Sequence, residues 1–297
     1  MATYAAYGLT IASDLAFPEL PPRDSRPDLI VRRRAIELPA WMQGSERRAW
    51  AGDDTAYLFC RRRGALRIRR GNEVLVEPAA GADERIVRNW VLGQGFGVAL
   101  FQRGFLVLHA SVVNCGGAGI AFVGGSGAGK STLAMAFCGR GDFLLEDDHA
   151  VVAEGAIPTV LPGTPQIRLD EDAPQAFGAS SGPVACRRVS EEKLGWDFRH
   201  RFQADPVPLR RVYVIRDSDE YRTVALSTAE AGGELVRHSF LAPLLVRPEA
   251  AAGHERRCRI LADRVSVQRL ERPRSYADVP RLVRTIRESM EVVEACV

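Results

Sequence analysis

Apolar residues in the first 80 or so positions come in short runs, at 4–11, 29–31, 56–59, 66–68 and 74–76, separated by clusters of Pro, Gly, Asp and Arg. Short runs between breakers predict strands and turns. From Asp83 the spacing changes: Ile86, Trp90, Val91, Phe96, Val98, Ala99 and Phe101 recur at a helical period as far as Arg103-Gly104. Residues 105–113 (FLVLHASVV) then predict a buried strand, and residues 119–125 (GIAFVGG) a second one that runs into a glycine-rich loop. A helix is expected from about Gly129 to the turn Gly139-Arg140-Gly141, followed by a strand over 143–152 (FLLEDDHAVV). Residues 210–216 and 223–227 predict two strands paired through the turn at 217–220, and helical patterns follow at 229–245 and 280–297. Strands mixed with helices indicate an α/β or α+β core. The expected division is a small, mostly β N-terminal lobe at 1–82 and an α/β domain at 83–297.

The loop Gly124, Gly125, Ser126, Gly127, Ala128, Gly129, Lys130, Ser131, Thr132 satisfies G-x-x-x-x-G-K-[ST], with an apolar strand before it and an apolar helix after it. Glycines let the backbone curl so that its N–H groups point at phosphate oxygens. The helix N-terminus adds unpaired N–H groups and a positive dipole end. In this pattern Lys130 reaches β- and γ-phosphates, the Ser131 hydroxyl is a ligand for Mg²⁺, and Thr132 packs or caps beside it. Lys130 and Lys193 are the only lysines in a chain that otherwise writes its positive charge as arginine. A compact ammonium and a planar guanidinium are not equivalent at a crowded phosphate.

Glu146, Asp147 and Asp148 follow Lys130 closely. A helix over 129–139 rises about 15 Å from the phosphates at about 1.5 Å per residue. A strand over 142–147 returns about 17 Å at about 3.3 Å per residue. The two aspartates therefore come back to the height of the loop. Adjacent strand residues face opposite ways, so one carboxylate can face Mg²⁺ and the other an acceptor. Glu146 is expected to face solvent. His109 closes the strand before the phosphate loop and reads equally as a core histidine.

The order His109-Ala110-Ser111, then GGSGAGKST, then RGDFLLEDD (140–148) resembles the HPr serine kinase/phosphorylase family. Ordinary P-loop NTPases place their acidic strand much farther from the loop. The resemblance covers about 105–152 well and the rest loosely. It implies a P-loop kinase core of HPr-kinase type, ATP as phosphoryl donor with Mg²⁺, and a serine hydroxyl on a peptide or protein as acceptor. It further implies that one aspartate is the general base and that the upstream His pairs with a carboxylate. By position these are Asp148 nearer the acceptor, Asp147 nearer the metal or His109, and His109 itself. The stretch that supports the phosphorylase reaction in the bifunctional enzymes has no convincing copy here. The opening YGLTIASDLAFPEL (7–20) is more similar to stand-alone HPr-kinase-like proteins of peptide biosynthesis clusters, some of which phosphorylate a lasso peptide precursor. A small-molecule kinase and a nucleotide-binding regulatory module with slow hydrolysis stay open beside this reading.

Arg168, in PGTPQIRL (162–169), is read either as a surface arginine or as one projected toward phosphate, and Lys193 as a solvated charge or a substrate contact. Arg237, His238 and Ser239 are placed near the site. A net charge of +3 gives no argument for nucleic acid. No apolar run nears the roughly 20 residues of a membrane span, and the N-terminus lacks a signal-peptide pattern, which makes the cytoplasm the expected location. The six cysteines and five histidines have no metal-ligand spacing, so no zinc site is expected. A homo-oligomer is left open by the sequence.

Overall fold

The computed structural model describes residues 1–42, 44–52, 54–169, 186–188, 194–240 and 248–294. The N-terminal runs build a seven-stranded sheet from β1 (Ala2–Ala6), β2 (Leu9–Ser13), β3 (Leu29–Arg33), β4 (Arg47–Ala51), β5 (Thr55–Cys60), β6 (Gly64–Arg69) and β7 (Glu73–Pro78), in the order β1-β2-β3-β7-β6-β5-β4. The run at 4–11 is a hairpin, because Tyr7 and Gly8 both take positive φ (53° and 74°) and reverse the chain. Strand β4 has an exposed, Arg-rich pattern with no apolar alternation to announce it, and it forms a free edge. One face of the sheet is covered by α1 (Glu84–Trp90), a π-helical turn (Val91–Gly95) and α2 (Phe96–Gln102). Ile11, Phe17, Leu66, Val76, Trp90, Phe96 and Leu100 share one buried core there.

A nine-stranded mixed sheet follows, made of β8 (Leu106–Leu108), β9 (Ala110–Cys115), β10 (Ala118–Val123), β11 (Phe143–Asp147), β12 (Ala150–Ala153), β13 (Thr159–Leu161), β17 (Val207–Asp217), β18 (Arg222–Ala225) and β19 (Ser266–Arg272). Three further strands, β14 (Gln166–Leu169), β15 (Cys186–Arg188) and β16 (Leu194–Asp197), form a small antiparallel sheet. The helices α3 (Lys130–Cys138), α4 (Thr228–Arg237), α5 (Pro248–Arg264) and α6 (Val279–Glu294) cover the large sheet. Strand alternation sorts the core. Ile120, Phe122, Tyr213 and Ile215 pack with α3 and α6 residues such as Phe137 and Val283. Their neighbours Ala121, Val123, Val212 and Val214 pack on the other face with Leu235 of α4 and Leu261 of α5. The chain is thus α/β, with helices on both faces of a mixed sheet.

Two differences from the sequence reading matter for the site. The expected hairpin of β17 and β18 does not form, because β19 lies between them, parallel to β17 and antiparallel to β18. Strands β10, β17 and β19 therefore run parallel, and the loop after β10, Asp217 and Arg272 gather at one end of them. The runs at 105–113 and 143–152, each expected as one strand, both break in the middle. Their pairing register is continuous across the break: Asp147 faces Ser111 before it and Ala150 faces Leu108 after it. Apart from a bulge at Leu145 in β11, the ladder opens at His109 and at Asp148-His149, where Asp148 has φ 102°.

Candidate active site

Gly127 (φ 74°) and Gly129 (φ 90°) curl the loop between β10 and α3, and Gly129 caps the helix in the left-handed conformation. A Cβ on Gly129 would lie 2.2 Å from Arg272 Nη2 and would have to move it, and the φ of 90° strains any residue that carries one. The loop carbonyls face cations. Lys130 Nζ donates to the carbonyls of Gly124 at 3.0 Å and Gly125 at 3.1 Å. Arg272 donates to Ala128 O at 2.8 Å and Arg274 to Gly127 O at 2.6 Å. With these carbonyls tied back, and the Ala128 N–H turned to Gly125 O at 3.2 Å, the other loop N–H groups can serve an anion, as a phosphate cradle requires. Arg272 Nε is buried without a partner among the described residues.

Asp147, the last residue of β11, is 1% exposed. Its Oδ1 accepts from the Ser111 hydroxyl and its Oδ2 from the Arg168 backbone N–H at 2.7 Å. Burial raises its pKa, opposed by those two donors and by the Ser131 hydroxyl beside it. No ion pair offsets this buried carboxylate among the described residues, so a cation brought between Asp147 and Ser131 would supply the missing charge. Nor do the described residues hold a cluster of three or more His, Cys, Asp or Glu that could bind a metal. Mg²⁺ needs none, because it keeps waters and takes one or two carboxylates plus substrate phosphates. The residues present fit that ion.

Asp148 sits in the gap of the ladder and turns the other way. Its Oδ2 accepts from Arg168 Nη1 at 2.7 Å, and its Oδ1 lies 3.1 Å from His109 Nδ1. Burial alone would raise its pKa, but His149, His109 and Arg168 together hold it well below the usual carboxylate range. His149 is itself pushed down to about 4 by burial.

Glu146 overturns the expectation of a solvent-facing residue, because it is 1% exposed. Its Oε2 accepts from Tyr7 Oη at 3.0 Å and from Thr164 N at 2.7 Å, and its Oε1 from Asp147 N at 3.0 Å. Burial pushes its pKa up to about 8 against these donors. Gly163 makes the room, since a Cβ there would sit 1.6 Å from Oε2. Tyr7 also donates its backbone N–H to Pro162 O at 2.7 Å, which ties the first hairpin to the segment under Asp147.

A cavity of about 610 Å³ brings together His109, Lys130, Ser131, Asp147, Asp148 and Arg168, and Arg272, Arg274 and Tyr276 line it as well. Arg168 is thus inside the site on β14 and not on the surface. Arg237 is exposed; His238 and Ser239 are buried, and neither lines this cavity. Lys193 lies outside the described residues. Ser111, His149, Arg272, Arg274, Tyr7 and Thr164 were not singled out from the sequence. His149 adjoins the aspartate pair and Ser111 the flagged histidine, so proximity was the one available signal for them. The others arrive from distant segments. No described helix is long and apolar enough to cross a membrane.

No family model matches this chain, and no curated protein does. Among solved structures it is similar to the Hpr(Ser) kinase/phosphatase from Coxiella burnetii, at 14% identity over 64% of this chain and 98% of that one, with a TM-score of 0.34.

Proposed function

We propose that the chain transfers the γ-phosphoryl group of Mg-ATP to a serine hydroxyl of a peptide or protein, a ribosomally made precursor peptide being the favoured class. The observation that carries this reading is that Asp148, ionised and fixed by Arg168 and His109, opens onto the same cavity as the loop Gly124 to Thr132. Binding alone would not call for an anion there, where it repels the γ-phosphate. A hydroxyl to be oriented gives it a use.

In this scheme the loop N–H groups and Lys130 hold the β- and γ-phosphates. Asp147 and Ser131 hold Mg²⁺, which supplies charge neutralisation across those phosphates. Asp148 accepts the hydrogen bond of the serine hydroxyl and points its oxygen at the γ-phosphorus. The new O–P bond forms as the bond to the β–γ bridging oxygen breaks, and ADP leaves. Held far below neutral, Asp148 is a weak base. It takes the proton only as bond formation acidifies the hydroxyl, in keeping with a loose transition state. Arg272 and Arg274, which line the same cavity beside the loop, add positive charge near the transferring group.

Mass spectrometry of a serine-bearing peptide incubated with the chain, Mg²⁺ and ATP tests this. A gain of one phosphate on serine is expected. ADP release with unmodified peptide would refute peptide transfer and leave a nucleotide hydrolase or a metabolite kinase.

A further inference from the structure

The carboxylate end of the active site does not close at Asp148. A second cavity of about 240 Å³ shares Ser131, Asp147, Asp148 and Arg168 with the first and continues to Trp90, Gln94 and Phe240. A third of about 310 Å³ shares Arg63, Trp90, Gln94 and Phe240 with the second and reaches Arg47, Arg48 and Ala49 on β4. These shared walls make one groove from the phosphate loop to the free edge of the N-terminal sheet. The second and third cavities together have the size of a pocket for a ligand well beyond one amino acid, roughly 300–1,000 Å³.

Backbone at Gly93 and the ring of Phe240 line this path. The π-helical turn brings backbone against the site at Gly93, where a Cβ would already lie 3.3 Å from His149 Cε1. Phe240 is held by its N–H to Val107 O at 3.0 Å and stands edge-on to His149, with ring centres 4.1 Å apart.

Two observations describe the occupant. First, the lining of the second and third cavities carries Arg47, Arg48, Arg63 and Arg168 and, among the described residues, no carboxylate other than Asp147 and Asp148. Arg47 and Arg63 have no side-chain ion pair among the described residues, whereas Arg168 is committed to Asp148. Second, two residues that line the second cavity each hold a buried side-chain atom without a partner among the described residues: Asn89 Oδ1, on a residue 7% exposed, and His149 Nε2, on a residue 3% exposed. Asn89 spends its amide N–H on Arg85 O at 2.9 Å, which leaves an oxygen that can only accept. A buried acceptor without a donor costs roughly 1–3 kcal/mol unless a ligand or water supplies one.

We propose that this groove is the acceptor site and that it takes an acidic peptide segment, with Asn89 and His149 meeting the backbone next to the serine and Arg63 and Arg47 pairing with carboxylate side chains farther along. Peptide N–H groups satisfy the orphaned oxygen, and carboxylates satisfy the unpaired guanidiniums. A small acidic metabolite would fill the second cavity and leave Arg47 unused. The inference rests on the phosphotransfer reading for its meaning, but binding is measurable without transfer.

Fluorescence anisotropy of the full chain, without nucleotide, with a short labelled peptide carrying one serine among glutamates and a matched peptide with lysines, tests it. The acidic peptide is expected to bind about tenfold more tightly or better, as for charge-complementary surfaces. Arg63→Glu with Arg47→Glu should abolish or reverse that preference while the thermal melting curve stays in place, and either single change should weaken it. Equal affinities, an unchanged preference in the double variant, or displacement by free serine plus succinate at concentrations matched to the peptide would each overturn the proposal. An acidic peptide that binds with this dependence and never gains phosphate would leave the groove standing and refute the transfer reading.

Discussion

Arg168 holds both aspartates of the site at once: its guanidinium donates to Asp148 Oδ2 and its backbone N–H to Asp147 Oδ2, each at 2.7 Å. One residue on β14 therefore fixes the angle between two carboxylates that point apart. It also treats them differently, because Asp148 is in direct contact with the guanidinium while Asp147 is bonded to the backbone N–H. Replacing Arg168 by Ala should raise the pKa of Asp148. A carboxylate active in its ionised form loses activity as pH falls through that pKa, so the acid limb of the pH–rate profile should move to higher pH. Arg168→Lys should not restore the profile, since an ammonium cannot donate in the same planar geometry. A limb that stays in place in both variants would remove Asp148 from this role.

Asp148→Asn keeps the shape and removes the charge. The transfer rate should fall by about 10²–10⁴, the usual range for a lost acid–base group. The affinity for ATP should remain, because the phosphate cradle is made by the loop. Isothermal titration with ATP beside a rate assay separates the two quantities.

Gly129→Ala meets two obstacles, a φ of 90° and the Arg272 guanidinium 2.2 Å from the new Cβ. The left-handed backbone alone costs roughly 1–2 kcal/mol for a residue with a Cβ. Melting temperature should drop modestly and nucleotide affinity much more, because the loop N–H groups lose their convergence.

Glu146 gives a stability signature. Its folded pKa of about 8 lies above its ordinary 4.5, so the folded state favours the protonated form. The stability it contributes is complete below its unfolded pKa and is lost as pH rises toward the folded one. Chemical denaturation between these limits should show stability falling by up to about 1.4 kcal/mol per pH unit from this group. Glu146→Gln, which cannot ionise, should flatten that slope, and an unaltered slope would assign it elsewhere.

How far the sequence revealed all this depended on the range of each interaction. The shape of the loop from Gly124 to Thr132 was legible because it is set locally, by glycine conformations and a helix start. The return of Asp147 and Asp148 to the loop followed from rise per residue alone. The break at Asp148 was not legible, since nothing in FLLEDDHAVV marks a positive φ at an aspartate; the two runs had to be seen paired before the gap had a meaning. Glu146 was misjudged because its partners, Tyr7 and Thr164, lie in other segments. β19 was missed because Val267 and Leu270 are its only apolar residues and they pack on opposite faces of the sheet, and its arrival between β17 and β18 is what brings Arg272 to the loop.

The central claim is that Asp148 directs a hydroxyl onto the phosphate held by this loop. Its most direct test follows γ-labelled ATP under single-turnover conditions with an acidic serine peptide in excess, and asks where the label goes in the parent chain and in Asp148→Asn. In the parent chain label is expected on peptide serine. In the variant transfer should be nearly lost while ATP stays bound. Label passing to water alone in the parent chain, or to peptide at equal rates in both, would contradict the claim.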